Sequence, residues 1–325
     1  MQKQTIKANN LITLDWFGNK PVDWNSAGTV YTFDGKTEQL QQFHFGTPFD
    51  TSITSACGHY VLLYEKLGTK GLLLKDGEIA REINRSYYHA DAYEFPAVFF
   101  NWNSRTYLAH CPAEYCRLEF EDVETGEILT NILTREPRDI FHSRLEVSPD
   151  NKFLLSKGWF WHPFDTINLF DIEACIHNPC LLDNGNSVSN VTAELCSASF
   201  IDNDRILIYA SNEEPMNDEE VEPILPQCLA IWDFKKDQVI HSVKMDTPMG
   251  NVFAIDENTC WDLFEYPKII DLLTGKVLAK AEEIKSGKQS SSIIHHIKDL
   301  PKVAYNRKTK QMAIATGNVI EVLTP

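Results

Sequence analysis

The sequence predicts an all-β fold: a seven-bladed β-propeller of four-stranded antiparallel blades, with the last blade closed by the N-terminal strand. Three observations lead there. Helical periodicity is scarce, and short β runs alternate with polar turns along the chain. A hairpin pattern recurs, its first strand beginning near residues 29, 71, 116, 166, 228, 268 and 319. That spacing, about 48 residues, suits one four-strand unit per repeat. The last unit is one strand short, and the N-terminal run KQTIKAN can supply it.

With the strands of a unit labelled a to d, the c–d hairpins come first. They read TVYTFD-GKTE-QLQQFHF (29–45), GLLLK-DG-EIAREI (71–83) and CRLEFEDVE-TG-EILTNIL (116–133). TINLFDI-EACIHN-PCLL (166–182), CLAIWDF-KKD-QVIHSV (228–243) and KIIDLL-TG-KVLAKA (268–281) follow. Gly or a short polar residue between the apolar runs tolerates the positive φ of a tight turn. The a–b hairpins are AVFFNW-NSR-TYLAH (97–110), RLEVS-PDN-KFLLS (144–156), ASFI-DND-RILIYAS (198–211), VFAI-DEN-TCWDLF (252–264) and KVAYN-RKTK-QMAIAT (302–316). The seventh unit continues with NVIEVLT. Residues from about 2 to 9 complete it, removing a sheet edge that would otherwise invite pairing. Residues 1–325 thus read as a single propeller domain, with the loop 211–227 inserted between two strands.

Composition fits a folded protein: 43% hydrophobic and 23% charged residues allow a sizeable core. Asp and Glu number 46 against 30 Lys and Arg, a net charge of −16. Nucleic acid and anionic membrane need cationic neutralisation, so neither is expected as a partner; a basic protein is. No signal-length apolar stretch or membrane span is read in the sequence. The eight cysteines are sparse and mostly in apolar strands, which reads as reduced core thiols in a cytoplasmic protein, a monomer on its own.

The strand–turn–strand V-SPDNKFLLS (147–156) resembles the WD40 and YVTN-type propeller superfamily, whose repeats commonly read SPDG-K-hydrophobic. Ile231-Trp232-Asp233 matches the WD dipeptide at the end of strand c, with Phe33-Asp34, Phe170-Asp171 and Ile270-Asp271 at similar places. The GH dipeptide of true WD40 repeats is missing from its usual position. The resemblance is to a divergent, WD40-like relative, and it implies the propeller fold without assigning a partner.

In a propeller the a–b and c–d turns open on one face, the b–c loops and d–a crossovers on the other. Here the first set is short and the second long: crossovers 86–96, 134–143 and 287–296, and b–c loops 110–115, 157–165 and 211–227. Binding concentrates on such loops. Trp159, Phe160, Trp161 and His162 crowd one of them, and Tyr87, Tyr88 and Tyr93 lie on the crossover of a preceding blade. Aromatic anchors suit interaction hot spots, although the same rings could plug the channel mouth. Glu213, Glu214, Asp218, Glu219, Glu220 and Glu222 form an acidic run that could steer a basic partner, or could be simply a solvated insertion.

Catalytic signatures are weak. There is no GxSxG and no phosphate-binding loop, and Cys175-x-His177-x2-Cys180 and His110-Cys111-x4-Cys116 match metal-ligand spacing only loosely, so no metal or cofactor is expected. Asp91, Glu114, Asp139, His142, Arg144 and His162 fall on the elaborated side and could hide a channel-mouth active site. The favoured function is a non-enzymatic protein–protein interaction module, one form being an inhibitor or immunity-type protein. The alternative is an enzyme or small-molecule binder at the channel mouth.

Overall fold

Successive side chains of a strand point to opposite faces, so each strand offers one face to each neighbouring blade. The structure, a computed structural model, describes residues 1–46, 49–212, 222–298 and 300–325. Its strands form seven antiparallel sheets. Blade I is Asp15–Phe17, Lys20–Asp23, Thr29–Tyr31 and Thr37–Gln39; blade II is Thr51–Thr54, Tyr60–Tyr64, Lys70–Lys75 and Glu78–Asn84. Blade III contributes Ala97–Trp102, Arg105–His110 and Glu119–Asp122. Blade IV has a strand a split into Ile140–Phe141 and Glu146–Val147, then Phe153–Phe160 and Phe164–Asp171. Blade V is Leu195–Phe200, Arg205–Ala210, Cys228–Asp233 and Gln238–Lys244; blade VI is Val252–Ala254, Thr259–Asp262, Lys268–Asp271 and Val277–Lys280. Blade VII joins Val303–Asn306, Gln311–Thr316 and Val319–Thr324 to the N-terminal Gln2–Lys7. The closing strand pairs antiparallel from Gln2↔Thr324 to Lys7↔Val319, as the sequence predicts.

The core is distributed between blades. Val61 of blade II and Phe49 of the crossover before it pack on Val22 and Trp24 of blade I. Trp261 and Leu263 of blade VI meet Met312 and Ile314 of blade VII, and Ile6, Trp16 and Tyr31 meet Ala313 and Ile320 where blade VII meets blade I. Equivalent clusters join every other neighbouring pair. Hydrogen bonds reinforce the closure: Trp16 Nε1 donates to Ala304 O at 2.9 Å, and Asn306 Nδ2 to Gly18 O at 2.8 Å. The WD-like Trp232 is buried and donates to Asp237 Oδ1 at 3.0 Å, while Asp233 Oδ1 accepts the Lys236 N–H at 3.1 Å, so these residues close the c–d turn of blade V.

Blades III and IV depart from the predicted hairpins. The fourth position of blade III is an isolated bridge, Glu121↔Ile128, and that of blade IV is Leu169↔Asn186. EACIHN-PC is no strand turn. Asp171 caps a short helix, Ile172–His177, by accepting the Ala174 N–H, and a 3-10 turn Pro179–Asp183 follows. The expected loop 157–165 is largely strand, with pairs Trp159↔Asp165 and Phe160↔Phe164 that leave a tight turn at Trp161-His162-Pro163. Aromatic side chains favour a pleated, half-buried surface, and that preference prevails here over the loop reading.

The crossover after blade VI, of which residues 281–298 and 300–302 are described, is long and reaches across the ring. Ile293 bridges Tyr93, Ile294 N donates to Ala92 O at 2.8 Å, and Ser292 N donates to Asp165 Oδ1 at 3.0 Å. This strap ties blade VI to the far side of the ring. Deeper in the channel, Glu146 of blade IV pairs with Arg307 of blade VII and with Lys157 at 2.7 Å.

Candidate functional site

The elaborated face of blades III and IV is built on a stack of rings. Phe141, just before the break in strand a of blade IV, lies 3.9 Å from Trp159 with the planes 3° apart. Tyr115 stacks on its other side at 4.3 Å. Tyr93 meets Phe141 edge-on at 5.5 Å, and Ile293 of the strap packs against the same group. Phe141, Trp159 and Tyr93 are buried and form a rigid base. Above it, Tyr88 stands 4.9 Å from Tyr115 and 6.2 Å from Trp161, and His89 is 5.1 Å from Trp161. Tyr88 and Trp161 remain 39% and 37% exposed, so they form the accessible part.

Of the residues singled out from sequence, Tyr88, Tyr93, Trp159 and Trp161 converge in this cluster, but Tyr93 and Trp159 serve as its interior. Trp159 Nε1 has no hydrogen-bond partner among the described residues. Phe160 points outward against Phe164 at 4.9 Å, and Tyr87 is exposed. His162 is exposed at the hairpin turn with φ 85°, the left-handed conformation the two-strand reversal requires. Glu213, Glu214, Asp218, Glu219 and Glu220 lie outside the described residues. Glu222, at the end of the acidic run, is buried and accepts the Thr192 N–H at 3.0 Å, a structural tie between the insertion and blade V.

Phe141, Tyr115 and His89 were not singled out from sequence, although each sits in or beside a segment marked as long. Asp139 beside them accepts the Tyr115 hydroxyl at 2.6 Å, and burial with that carboxylate pushes the Tyr115 phenol well up. The other polar residues of the elaborated side do not gather at one point. His142 is buried against Ser156 Oγ at 3.0 Å, and burial holds it near pKa 4. Arg144 donates to Lys157 O, Asn251 Oδ1 and Cys196 O at 3.2, 2.8 and 2.8 Å, joining blades IV, V and VI. Asp91 and Glu114 are exposed.

Under the strap, Lys66, Glu94, Arg144 and Lys157 line a polar cavity of about 210 Å³. Its cations are engaged: Lys66 with Glu94 at 3.6 Å and Lys157 with Glu146. A second cavity, about 250 Å³, is walled by Asp165, Glu194, Cys196 and His296. The ligand atoms of the first three lie within 4.8 Å of one another. Asp165 is already held there by the Ser292 N–H and hydroxyl, and burial with the two carboxylates raises the Cys196 thiol far above its ordinary range. Asp165 and Cys196 are thus held by contacts within the protein itself. The two loosely spaced Cys–His motifs do not assemble either. Cys175 is in the blade III–IV core while His177 is exposed, and His110 is buried against Glu121 Oε2 at 2.9 Å.

No protein-family model matches this chain, and no curated protein matches it in sequence. Solved structures do match. The β-propeller domain of Myceliophteria thermophila Cps50 (Swd1) superposes with a TM-score of 0.62 over 100% of both chains, at 12% sequence identity. At that identity the likeness speaks to fold alone, and it agrees with the ring of seven sheets and the WD-like turn at Trp232-Asp233. The chain folds as a seven-bladed β-propeller similar to that domain.

Proposed function

We propose that this protein is a non-enzymatic interaction module that holds a basic macromolecular partner on its elaborated face. The observation that carries the reading is the ring stack of blades III and IV. Tyr88 and Trp161 are presented on a buried, preorganised base, which lowers the entropic cost of using them as anchors. Propellers commonly serve protein–protein interaction, and the charge of −16 favours a basic partner. An inhibitor or immunity-type protein that occludes a basic toxin or nuclease is one concrete form. Capture from lysate at low and high salt tests it: a basic protein is retained at low salt and released at high salt. Trp161→Ala or Tyr88→Ala weakens capture by about tenfold. Unchanged capture in both variants removes the ring stack from the site. Charge reversal at Glu219 and Glu220 slows association more than it speeds dissociation.

A second reading, a small-molecule or enzymatic site at the channel mouth, draws on the cavity walled by Asp165, Glu194, Cys196 and His296. It requires ligand-dependent thermal stabilisation that Cys196→Ser abolishes and Trp161→Ala does not.

A further inference from the structure

The chain carries a net charge of −16, yet one cavity inside the ring is positive. It measures about 210 Å³ and touches strands of blades IV, V, VI and VII as well as the strap. Lys66, Arg144 and Lys157 line it against a single wall carboxylate, Glu94. Pairing behind the wall does not restore neutrality. Glu146 holds Lys157, but it also takes Arg307. The wall cations and their partners thus set Lys66, Arg144, Lys157 and Arg307 against Glu94 and Glu146, an excess of two positive charges.

Lys157 is the sharpest case. It is buried, and an ammonium has three protons to place. Its one hydrogen bond among the described residues goes to Glu146 Oε2 at 2.7 Å. Glu146 is well supplied without it: Ser199 Oγ and the Phe200 N–H each donate to Oε1 at 3.1 Å, and Arg307 donates there too. Burial, then Arg144, brings the Lys157 ammonium down to about 7 even with Glu146 beside it, the mark of a cation short of counter-charge. Lys66 has only the 3.6 Å pair with Glu94 among the described residues. Arg144 spends its N–H groups on two carbonyls and Asn251 Oδ1, all neutral. That last bond leaves the Asn251 amide NH₂ as a further donor on the wall. Secluded cations are costly without counter-charge, which favours an anion here over water alone. The space equals about seven waters at roughly 30 Å³ each and lies below the roughly 300–1,000 Å³ of drug-sized sites, so the occupant is small.

We propose that this cavity binds one small dianion, held by Lys157, Arg144 and Lys66 with a further hydrogen bond from Asn251. Inorganic oxyanions and short dicarboxylates share that chemistry. Lys157 keeps Glu146 and gives the anion its remaining protons, so no existing pair is broken. The cavity shares no wall residue with the one at Asp165 and none with the ring stack, so this site stands or falls apart from both.

The test is isothermal titration calorimetry of the full chain with sulfate, succinate and acetate at fixed ionic strength. One dianion per chain is expected, with a Kd below about 1 mM, and acetate binds about tenfold more weakly. The tighter of sulfate and succinate tells whether the site suits an inorganic or an organic dianion. Lys66→Gln weakens that dianion about tenfold, and Glu94→Gln tightens it by about the same factor. Lys36→Gln, which removes an exposed cation from blade I, changes nothing. Lys157→Met keeps the length, loses the charge and abolishes binding; should it fail to fold, Lys66→Gln and Glu94→Gln still decide. No saturable heat from either dianion means that water alone fills the cavity and overturns the proposal. So does acetate binding as tightly as the dianions, or full affinity in Lys66→Gln. An equal loss in Lys36→Gln overturns it as well, because the effect is then one of overall charge.

Discussion

At His142 and Asp15, burial acts on two side chains in opposite senses. Burial disfavours the charged form of each, which lowers His142 to about 4 and raises Asp15 to about 7, Thr54 opposing the latter. Between pH 4 and 6.5 the unfolded chain binds a proton at His142 that the folded one refuses. The His142 contribution is therefore present above that window and is lost as pH falls through it. Between pH 3.8 and 7 the folded chain keeps a proton at Asp15 that the unfolded one releases, so that contribution is lost as pH rises. At 1.36 kcal/mol per pKa unit, His142 is worth about 3 kcal/mol. Asp15 is partly exposed as a residue, which reduces its share to about 2 kcal/mol. The two slopes largely offset in the native protein. Urea unfolding across this range is expected to show His142→Gln losing stability as pH rises, and Asp15→Asn losing it as pH falls. Parallel curves for the two variants would show that neither group is held as described.

At the scale of elements, the strap over the channel and the hairpin of blade IV depend on each other. Asp165 sits at the turn end of the hairpin and accepts both the backbone N–H and the hydroxyl of Ser292. Leaving that buried N–H without a partner costs about 1–3 kcal/mol. Asp165→Ala is therefore expected to raise hydrogen exchange at Ser292, Ile293 and Ile294 while strands far from the strap keep their protection. Exchange unchanged at these three amides would mean that the Tyr93–Ile293 bridge and buried Ile294 hold the strap by themselves. Nothing in the sequence marks this contact, since 127 positions separate its partners and neither has a patterned neighbourhood. Blade order, strand phase and the closing strand were legible because a repeat fixes them many times over. The split strand at Phe141 and the helix Ile172–His177 were not. Each occurs once among the described residues, and there a local device, a register break or an Asp171 cap, replaces the hairpin of the other blades. The ring stack was half legible: Tyr88 and Trp161 were read from composition, but which rings form base and which form surface is decided by pairing such as Phe141↔Trp159.

For the whole molecule, the decisive quantity is closure. Every blade is stabilised on two sides by its neighbours, and the seam between blades VII and I is the one place where this depends on residues from the two ends of the chain. Gln2–Lys7 contributes one buried side chain, Ile6, and the full backbone ladder to Val319–Thr324. Truncating Ile6 to Ala removes packing worth about 2–4 kcal/mol, and that loss is expected to lower the thermal midpoint. Deleting residues 2–7 does more. It exposes Ile320 and Val322 and presents an unpaired outer edge on blade VII, so light scattering is expected to show self-association at concentrations where the intact chain stays dispersed. A synthetic peptide of those six residues, added in trans, should restore both the midpoint and the dispersed state by taking the same register on Val319–Thr324. A deletion variant that stays dispersed with an unchanged midpoint would mean that the other interblade cores hold the ring shut without the strand. The propeller would then be closed by packing alone, and the N-terminal segment would be free for another use.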